Sequence, residues 1–327
     1  MRRLSLLDLA VVRRGQPIAA AIEESVVLAR DADRLDCFER LWFAEHHNMA
    51  SIASAATSVL IAHVAARTER IRVGSGGVML PNHSPLVIAE QFGTLAELHP
   101  DRIDLGLGRA PGTDQRTLLA LRRDARASDH FPEDIRELQG YLGEQSLIEG
   151  INAIPGRGTN VPLYILGSSL YGAQLAAAFG LPYAFASHFA PDALEQAVAA
   201  YRSQFRPSAQ LQEPYAIAAV NVIAADTTGE AEELAAKVLR SRVRSLAARA
   251  IPGRSIEDSD LDQLMNSPVA DQARHMMTYT ATGDAAAVGA YLDRFGDLAD
   301  ADELMVTNAA PGLEHRRRTL EILAALV

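Results

Sequence analysis

"IRVGSGGVMLPNHSPLVIAEQFGTLAELHPDRIDLGL", residues 71–107, contains two short apolar runs on either side of a segment with a different periodicity. The runs are Ile71–Ser75 and Ile103–Leu107, and between them apolar residues recur every three or four positions over Pro85–Leu98. Continuous apolar runs are typical of strands covered on both faces, and the longer repeat is typical of an amphipathic helix. The stretch therefore predicts two parallel strands joined by a crossover helix.

The same alternation extends along the whole chain and predicts eight strands: Leu4–Val11, Leu41–Ala44, Ile71–Ser75, Ile103–Leu107, Leu163–Leu166, Tyr183–Ala186, Ala216–Ile223 and Leu304–Val306. Helical patterns separate them: Pro17–Leu35, Ala53–Arg67, Pro85–Leu98, Ala173–Phe179, Asp192–Gln204 and Thr228–Ala247. Eight such units predict an α/β fold of the (β/α)₈ TIM-barrel type, with an open doubly wound sheet as the alternative.

Two longer insertions follow predicted strands, at Ala110–Asp129 after strand four and at Ile251–Val269 after strand seven. Both lie at carboxyl ends of strands, where barrel enzymes build their sites. Neither a repeat nor a low-complexity linker interrupts the chain, so residues 1–327 are expected to form a single barrel domain.

Composition narrows the classes of function. The chain has 327 residues, 48% of them hydrophobic, and a net charge of −10 that disfavours nucleic acid as a partner. The opening MRRLSLLDLAVVRRG is expected to be a strand and not a signal peptide, and an apolar run of the ~20 residues that a membrane helix needs does not occur. One cysteine excludes an internal disulfide and a cysteine-based metal cluster, which fits a cytoplasmic protein without a metal.

Three titratable side chains end the second predicted strand, where LWFAEHHN places Glu45, His46 and His47. In a barrel this position faces the catalytic mouth. Successive residues of an extended chain point to opposite sides, so one histidine at most is expected to face a ligand. The alternative is a structural role in which both histidines cap the strand.

Glycine and polar residues end the next three strands. A flat cofactor would suit the backbone surface of Ser75, Gly76 and Gly77, although a turn or bulge also explains these glycines. After strand four, Arg109 has the donor geometry for a phosphate. After strand five comes a turn that could bind an anion at a helix N-terminus or merely cap it, formed by Gly167, Ser168 and Ser169.

The combination of AEHHN with RIRVGSGGVMLPNHSPLVIAEQFGTLAELHPDRIDLGLGRAPGTD resembles the bacterial luciferase-like flavin monooxygenases, and the similarity runs essentially end to end. The chain is most similar to the shorter single-chain members, some of which act in antibiotic biosynthesis. The resemblance implies reduced FMN (FMNH₂) from a separate NAD(P)H-dependent flavin reductase, O₂, and a flavin C4a-hydroperoxide. The oxygen acceptor would be a small apolar organic substrate, such as a polyketide-type intermediate. The resemblance also suggests that the protein forms a homodimer.

The resemblance also implies roles for individual residues. It assigns catalysis to His46 with His47 as its neighbour, and we expect Glu45 to position nearby donors. It implies a cis peptide between Gly76 and Gly77 against the flavin ring, so that Gly76→Val should weaken FMN binding more than folding. Phosphate binding is implied for Arg109, Ser168 and Ser169. The candidates for a second phosphate-binding arginine are Arg122, Arg123 and Arg126.

The sequence departs from the light-emitting luciferases at two positions. Gly108 replaces a reactive cysteine, and Ser168 replaces a glutamate, which argues against light emission. Three alternatives share the fold: a deazaflavin-dependent dehydrogenase, a reductase with tightly held FMN, and a non-catalytic flavin-storage protein. Apolar residues of the insertions are expected either to line a substrate cavity or to belong to a core: Leu118, Leu119, Leu121, Met265 and Val269.

Overall fold

A closed barrel of parallel strands organises the chain. The structure is a computed structural model that describes residues 2–110, 114–250 and 256–327. Within these ranges the sheet contains nine strands: β1 (Arg3–Asp8), β2 (Phe38–Phe43), β3 (Arg72–Met79), β4 (Ile103–Gly108), β5 (Leu163–Gly167), β6 (Tyr183–Phe185), β7 (Ala216–Ala224), β8 (Thr280–Gly283) and β9 (Glu303–Asn308).

Eight of these strands close on themselves. Strands β1 to β7 pair in chain order, and β9 pairs with both β7 and β1, so the barrel has no free edge. Each of the eight predicted strands overlaps an observed strand, although the first ends at Asp8 and not at Val11, and the (β/α)₈ prediction is confirmed over the open sheet. The ninth strand, β8, was not predicted. It pairs with β7 outside the barrel and reads TATG, a short sequence without an apolar run.

Helices cover the outside of the barrel and follow the predicted pattern. Their bounds are α1 (Ile18–Leu35), α2 (Thr57–Ala65), α3 (Pro85–Leu98), α4 (Gln115–Ala120), α5 (Phe131–Leu142), α6 (Leu170–Phe179), α7 (Leu194–Gln204), α8 (Thr228–Ala250), α9 (Asp258–Leu264), α10 (Pro268–Met276), α11 (Ala285–Leu298) and α12 (Leu313–Ala324). Helix α12 buries Leu320 and Leu323 in the main core. Within the described ranges, none of the helices has both the length and the apolar composition for crossing a membrane.

Both predicted insertions contain extra helices, although residues 111–113 and 251–255 of the predicted segments lie outside the described residues. After β4 come α4 and a 3₁₀ segment, Ala125–His130. After β7, helices α8, α9 and α10 share a small core of their own. That helical insertion contacts loops on different sides of the barrel through Arg249 to Met49 (3.5 Å) and His275 to Asp192 (2.8 Å). It therefore lies over the mouth.

The amino end of the barrel interior is filled by an ion-pair network. The Arg40 guanidinium contacts Asp104 at 2.9 Å and Glu303 at 3.0 Å, and all three side chains are buried. Above it lies an apolar layer drawn from the strands, including Leu7, Trp42 and Met305. Because a buried arginine requires such partners, this end is structural, and the carboxyl-end mouth is left for function.

Candidate active site

Glu45 gathers three donors just after β2. Its Oε1 accepts hydrogen bonds from Nε2 of His47 at 2.7 Å and from Nε2 of His83 at 2.8 Å. Its Oε2 accepts the backbone amide of Met79 at 3.2 Å. The side chain of Glu45 is buried, so these donors replace the water that a free carboxylate would bind.

The charge states in this cluster follow from its geometry. Burial acts to raise the pKa of Glu45, but the hydrogen bonds from His47 and His83 outweigh it and lower that pKa to about 2. Glu45 is therefore an ionised acceptor to which both histidines donate. The same hydrogen bond raises the pKa of His47 above its ordinary value.

The nitrogen and oxygen atoms of Glu45, His47 and His83 lie within 4.8 Å of one another, close enough to hold a metal ion. Hydrogen bonding to one carboxylate oxygen already explains this convergence without a cation. His83 was missed as a partner of Glu45, although it ends the stretch VGSGGVMLPNH that follows strand three. Only the fold brings His83 next to β2.

His46 lies apart from its neighbour His47. Its backbone amide donates to the carbonyl of Ser54 at 3.0 Å, and its ring is near enough to His188 to act on the pKa of that residue. The two consecutive histidines thus have different surroundings, as the alternation of an extended chain predicts.

His188, in the loop after β6, was not predicted as a site residue. Burial is the largest cause that lowers its pKa to about 3, followed by the charges of Arg242 and His46. Its carbonyl accepts a hydrogen bond from Nδ2 of Asn221 at 2.7 Å, and this bond connects the loop of His188 to β7. His188 is consequently a neutral imidazole at the mouth, and Arg242 of α8 is its cationic neighbour.

Strand β3 presents bare backbone at Gly76 and Gly77. The register of β3 against β4 shifts between Ser75 and Val78, and the peptide between Gly76 and Gly77 is cis, as the resemblance implies. Ser75 is fully buried, and its hydroxyl donates to the carbonyl of Gly106 at 2.8 Å. Its side chain therefore serves the β3–β4 pairing, and only its backbone is left for a ligand.

The expected effect of Gly76→Val needs correction. A Cβ at Gly76 would lie 2.7 Å from Cδ1 of Leu7 and 2.9 Å from Cβ of Trp42, inside the barrel layer. The first cost of a larger residue is thus a clash with packed side chains, which harms folding directly. Gly108, in contrast, has open space: its Cβ would meet no described atom nearer than the Val78 carbonyl oxygen at 3.8 Å.

Arg109 meets the turn after β5. Its guanidinium carbon lies 4.1 Å from the ring centroid of Tyr171, which is in the first turn of α6. Ser169 is the N-cap residue of this helix, and its side chain and that of Ser168 are exposed. Gly167 is the last residue of β5. The structure therefore brings Arg109 to the turn that contains Gly167, Ser168 and Ser169.

The other arginine candidates have separate surroundings. Nε of Arg123 donates to the carbonyl of Asn82 at 3.1 Å, and the exposed Arg126 lies 3.6 Å from Asp124. Arg122 is exposed and has φ 57°. Among the predicted cavity residues, Met265 and Val269 instead pack against the core of the helical insertion, whereas Leu119 is 76% exposed.

A barrel whose mouth combines histidines, an arginine beside a helix N-terminus and a bare glycine wall belongs to the class of barrel enzymes that build their sites at strand ends. The sequence profile of the family described as luciferase-like monooxygenases matches residues 3–301. The chain belongs to this family of oxidoreductases.

Relatives and a solved structure agree with this assignment. A protein of Escherichia coli (strain K12) named luciferase-like monooxygenase is 47% identical over 97% of this chain and 95% of its own. The N-acetyl-S-alkylcysteine monooxygenase of Bacillus subtilis (strain 168) is 34% identical over 71% of each chain. The crystal structure of apo-MsnO8 is similar with a TM-score of 0.88 and 34% identity, covering 100% of this chain and 98% of that one.

Proposed function

We propose that the chain is a monooxygenase that uses reduced FMN and O₂, and that residues 1–327 act as one barrel domain. The observation that carries the proposal is the meeting of Arg109 with the first turn of α6. A guanidinium beside free helix amides suits the terminal phosphate of FMN. Membership of the family supports oxygenation as the class of reaction.

The residues of the mouth fit such a cofactor. Arg109, Ser168 and Ser169 would hold the phosphate, with Gly167 allowing close approach of the backbone. A planar ring system could lie against the backbone of Ser75 to Gly77 at the other end. Because Gly76, Gly77 and Gly108 carry no side chains, this wall presents backbone only.

Monooxygenation requires two electrons for each molecule of O₂. When bound, reduced FMN supplies two electrons, so that one atom of O₂ enters the substrate and the other leaves as water. We propose that a separate NAD(P)H-dependent flavin reductase provides the reduced cofactor. The task of this chain is then to bind, orient and protect the reactants.

His46 is proposed as the residue that moves a proton during oxygen transfer. Its ring lies on the side of His188 and Arg242, while Glu45 and His47 form the cluster with His83. An imidazole can donate or accept a proton near neutral pH, which suits a general acid or base. Glu45 would position the ring of His47. His47 would line the mouth of the barrel next to the site.

The helical insertion is proposed to limit the access of water. It spans the mouth through the contacts of Arg249 and His275, and a covered site favours oxygen transfer over side reactions with solvent. A small, largely apolar organic substrate, for example a polyketide-type intermediate, would enter beneath it. A homodimer and a cytoplasmic location complete the proposal and rest on the resemblance and on the composition.

The experiment is oxygen-isotope incorporation. The protein is mixed with chemically reduced FMN, ¹⁸O₂ and a probe, N-acetyl-S-methylcysteine, chosen because a relative is named for such thioethers. We expect a sulfoxide that carries one ¹⁸O atom, as measured by mass spectrometry, and ¹⁸O-labelled water. Oxidation of reduced FMN with hydrogen peroxide as the sole oxygen product, for this probe and for ketone and aldehyde probes, would instead favour a flavin reductase or storage protein.

A further inference from the structure

Three of the buried polar side-chain atoms without hydrogen-bond partners lie together on one half of the mouth. They are Nδ1 of His188, Oδ1 of Asn221 and Oγ1 of Thr307, and all three atoms are buried. Asn221 and Thr307 are paired neighbours on β7 and β9, and the amide of Asn221 also holds the carbonyl of His188 at 2.7 Å. This half lies away from the β3–β5 side, to which the proposed FMN site belongs.

Arg242 of α8 adds a cation to the same half. Its Nη1 is buried, and no described residue accepts a hydrogen bond from it. Burial lowers the pKa of Arg242, and none of the described carboxylates contributes to that pKa. A buried guanidinium nitrogen without an acceptor is costly, so the folded protein loses stability by keeping Nη1 of Arg242 there.

The surroundings of Arg242 favour an anion over a neutral ligand. His188 is neutral, because its pKa is lowered to about 3, and it contributes hydrogen-bonding capacity without charge. The ring of Phe189 meets that of His188 edge-on, with centroids 4.9 Å apart, and gives one side an apolar boundary. The charge of Arg242 acts on the pKa of His188 more strongly than that of His46, and one guanidinium matches a single carboxylate.

We propose that Arg242 and His188 form a subsite for a carboxylate of the organic substrate, which holds the rest of that substrate beside His46. The inference rests on the proposed function and narrows its substrate class from apolar compounds to apolar compounds with one carboxylate. Reduced flavin is itself an anion. The experiment must therefore separate substrate binding from flavin binding.

The test compares two probes by isothermal titration calorimetry: N-acetyl-S-methylcysteine, which has a carboxylate, and its neutral N-methylamide. The variants are Arg242→Gln, Arg242→Lys and Arg240→Gln. The last is a matched control, because Arg240 lies on the same helix and forms an ion pair with Asp262 of α9. Charged hydrogen bonds are typically strong enough for a roughly 10- to 100-fold loss of carboxylate affinity in Arg242→Gln. The neutral probe should bind the wild-type protein and Arg242→Gln equally, and Arg240→Gln should bind both probes like the wild type.

Two further measurements complete the test. FMN affinity, followed by quenching of Trp42 fluorescence, should be unchanged in Arg242→Gln. The melting temperature of this variant should equal or exceed that of the wild-type protein, because a buried guanidinium nitrogen without an acceptor is removed. Equal affinity of the wild type for both probes, a fall in FMN affinity, or a strong loss of stability would each overturn the subsite. None of these measurements needs turnover, so failure of oxygen incorporation alone would count against the proposed function and not against the subsite.

Discussion

His46 and His47 are consecutive residues whose side chains belong to different clusters. Nε2 of His47 donates to Glu45 at 2.7 Å, whereas His46 lies near His188 and contributes to lowering its pKa. One histidine is thus held by a buried carboxylate, and the other faces the half of the mouth that contains Arg242. The two residues should respond differently to the same substitution.

Replacement of His46 by alanine should lower the rate of oxygen transfer by roughly 10² to 10⁴, the usual range for loss of a general acid or base. Binding of reduced FMN should change little, and hydrogen peroxide should rise at the expense of product. Stopped-flow absorbance with product and peroxide assays measures these quantities. The matched variant is His47→Ala; a larger loss of product there than in His46→Ala would move the role to His47.

Glu45→Gln should lower the free energy of unfolding by roughly 2–3 kcal/mol, because buried donors lose a charged acceptor. The pKa of His47, followed by NMR, should fall in this variant. The depressed pKa of Glu45 adds stability that is present above its unfolded value of about 4.5 and lost as pH falls towards 2. The raised pKa of His47 adds stability that is present below 6.5 and lost as pH rises through the folded value.

The difference in stability between the wild-type protein and Glu45→Gln should therefore be largest between about pH 4.5 and 6.5. Urea unfolding across this range measures it. Glu39→Gln is the control, since Glu39 lies on β2, the strand that precedes Glu45, and its side chain is 39% exposed. A Glu45→Gln profile that matches that of Glu39→Gln would show that the cluster adds nothing to stability.

His188 should make the protein sensitive to mild acid. Its pKa is lowered to about 3, so the unfolded chain binds a proton near pH 6.5 that the folded protein does not bind. Stability from this residue is therefore present above pH 6.5 and is lost as pH falls. Between pH 6.5 and 5.0 the wild-type protein should lose about 2 kcal/mol relative to His188→Asn. Parallel profiles of the two proteins in urea unfolding would contradict a buried neutral His188.

Gly76→Val should destabilise the fold by roughly 1–3 kcal/mol, the usual cost of overpacking, because its Cβ would meet Leu7 and Trp42 at less than 3 Å. Gly108→Ala is the matched control on the neighbouring strand, and its added Cβ would meet no described atom within 3.5 Å. Fluorescence of Trp42 during urea unfolding measures the free energy of unfolding of both variants. Equal stability of the two variants would mean that the barrel layer under Gly76 can relax.

The sequence was sufficient for the barrel because its eight strands are buried on both faces and read as continuous apolar runs. Strand β8 was missed since TATG has neither an apolar run nor alternation, and it exists by pairing with β7. The divergence of His46 and His47 could be predicted because it depends on local alternation alone.

Other features of the site depend on distant contacts. His83 approaches Glu45 only because β2 and β3 are neighbours, and Arg242 reaches His188 only because α8 crosses the mouth. Within its helix, Arg242 looks like any other arginine of a solvated face. The direction in which a Cβ added at Gly76 would point could not be predicted either, because a glycine has no side chain whose polarity or size indicates its surroundings.

The most direct test is an anaerobic titration of reduced FMN followed by fluorescence of Trp42, the single tryptophan, which lies under Gly76 in the barrel. Reduced FMN should quench this fluorescence saturably, and Arg109→Ala should weaken the binding by roughly tenfold or more, because a charged contact to phosphate is lost. Riboflavin, which lacks the phosphate, should bind the wild type and Arg109→Ala equally. The absence of saturable quenching by reduced FMN, or tighter binding of a deazaflavin cofactor than of FMN, would contradict an FMN site at this mouth.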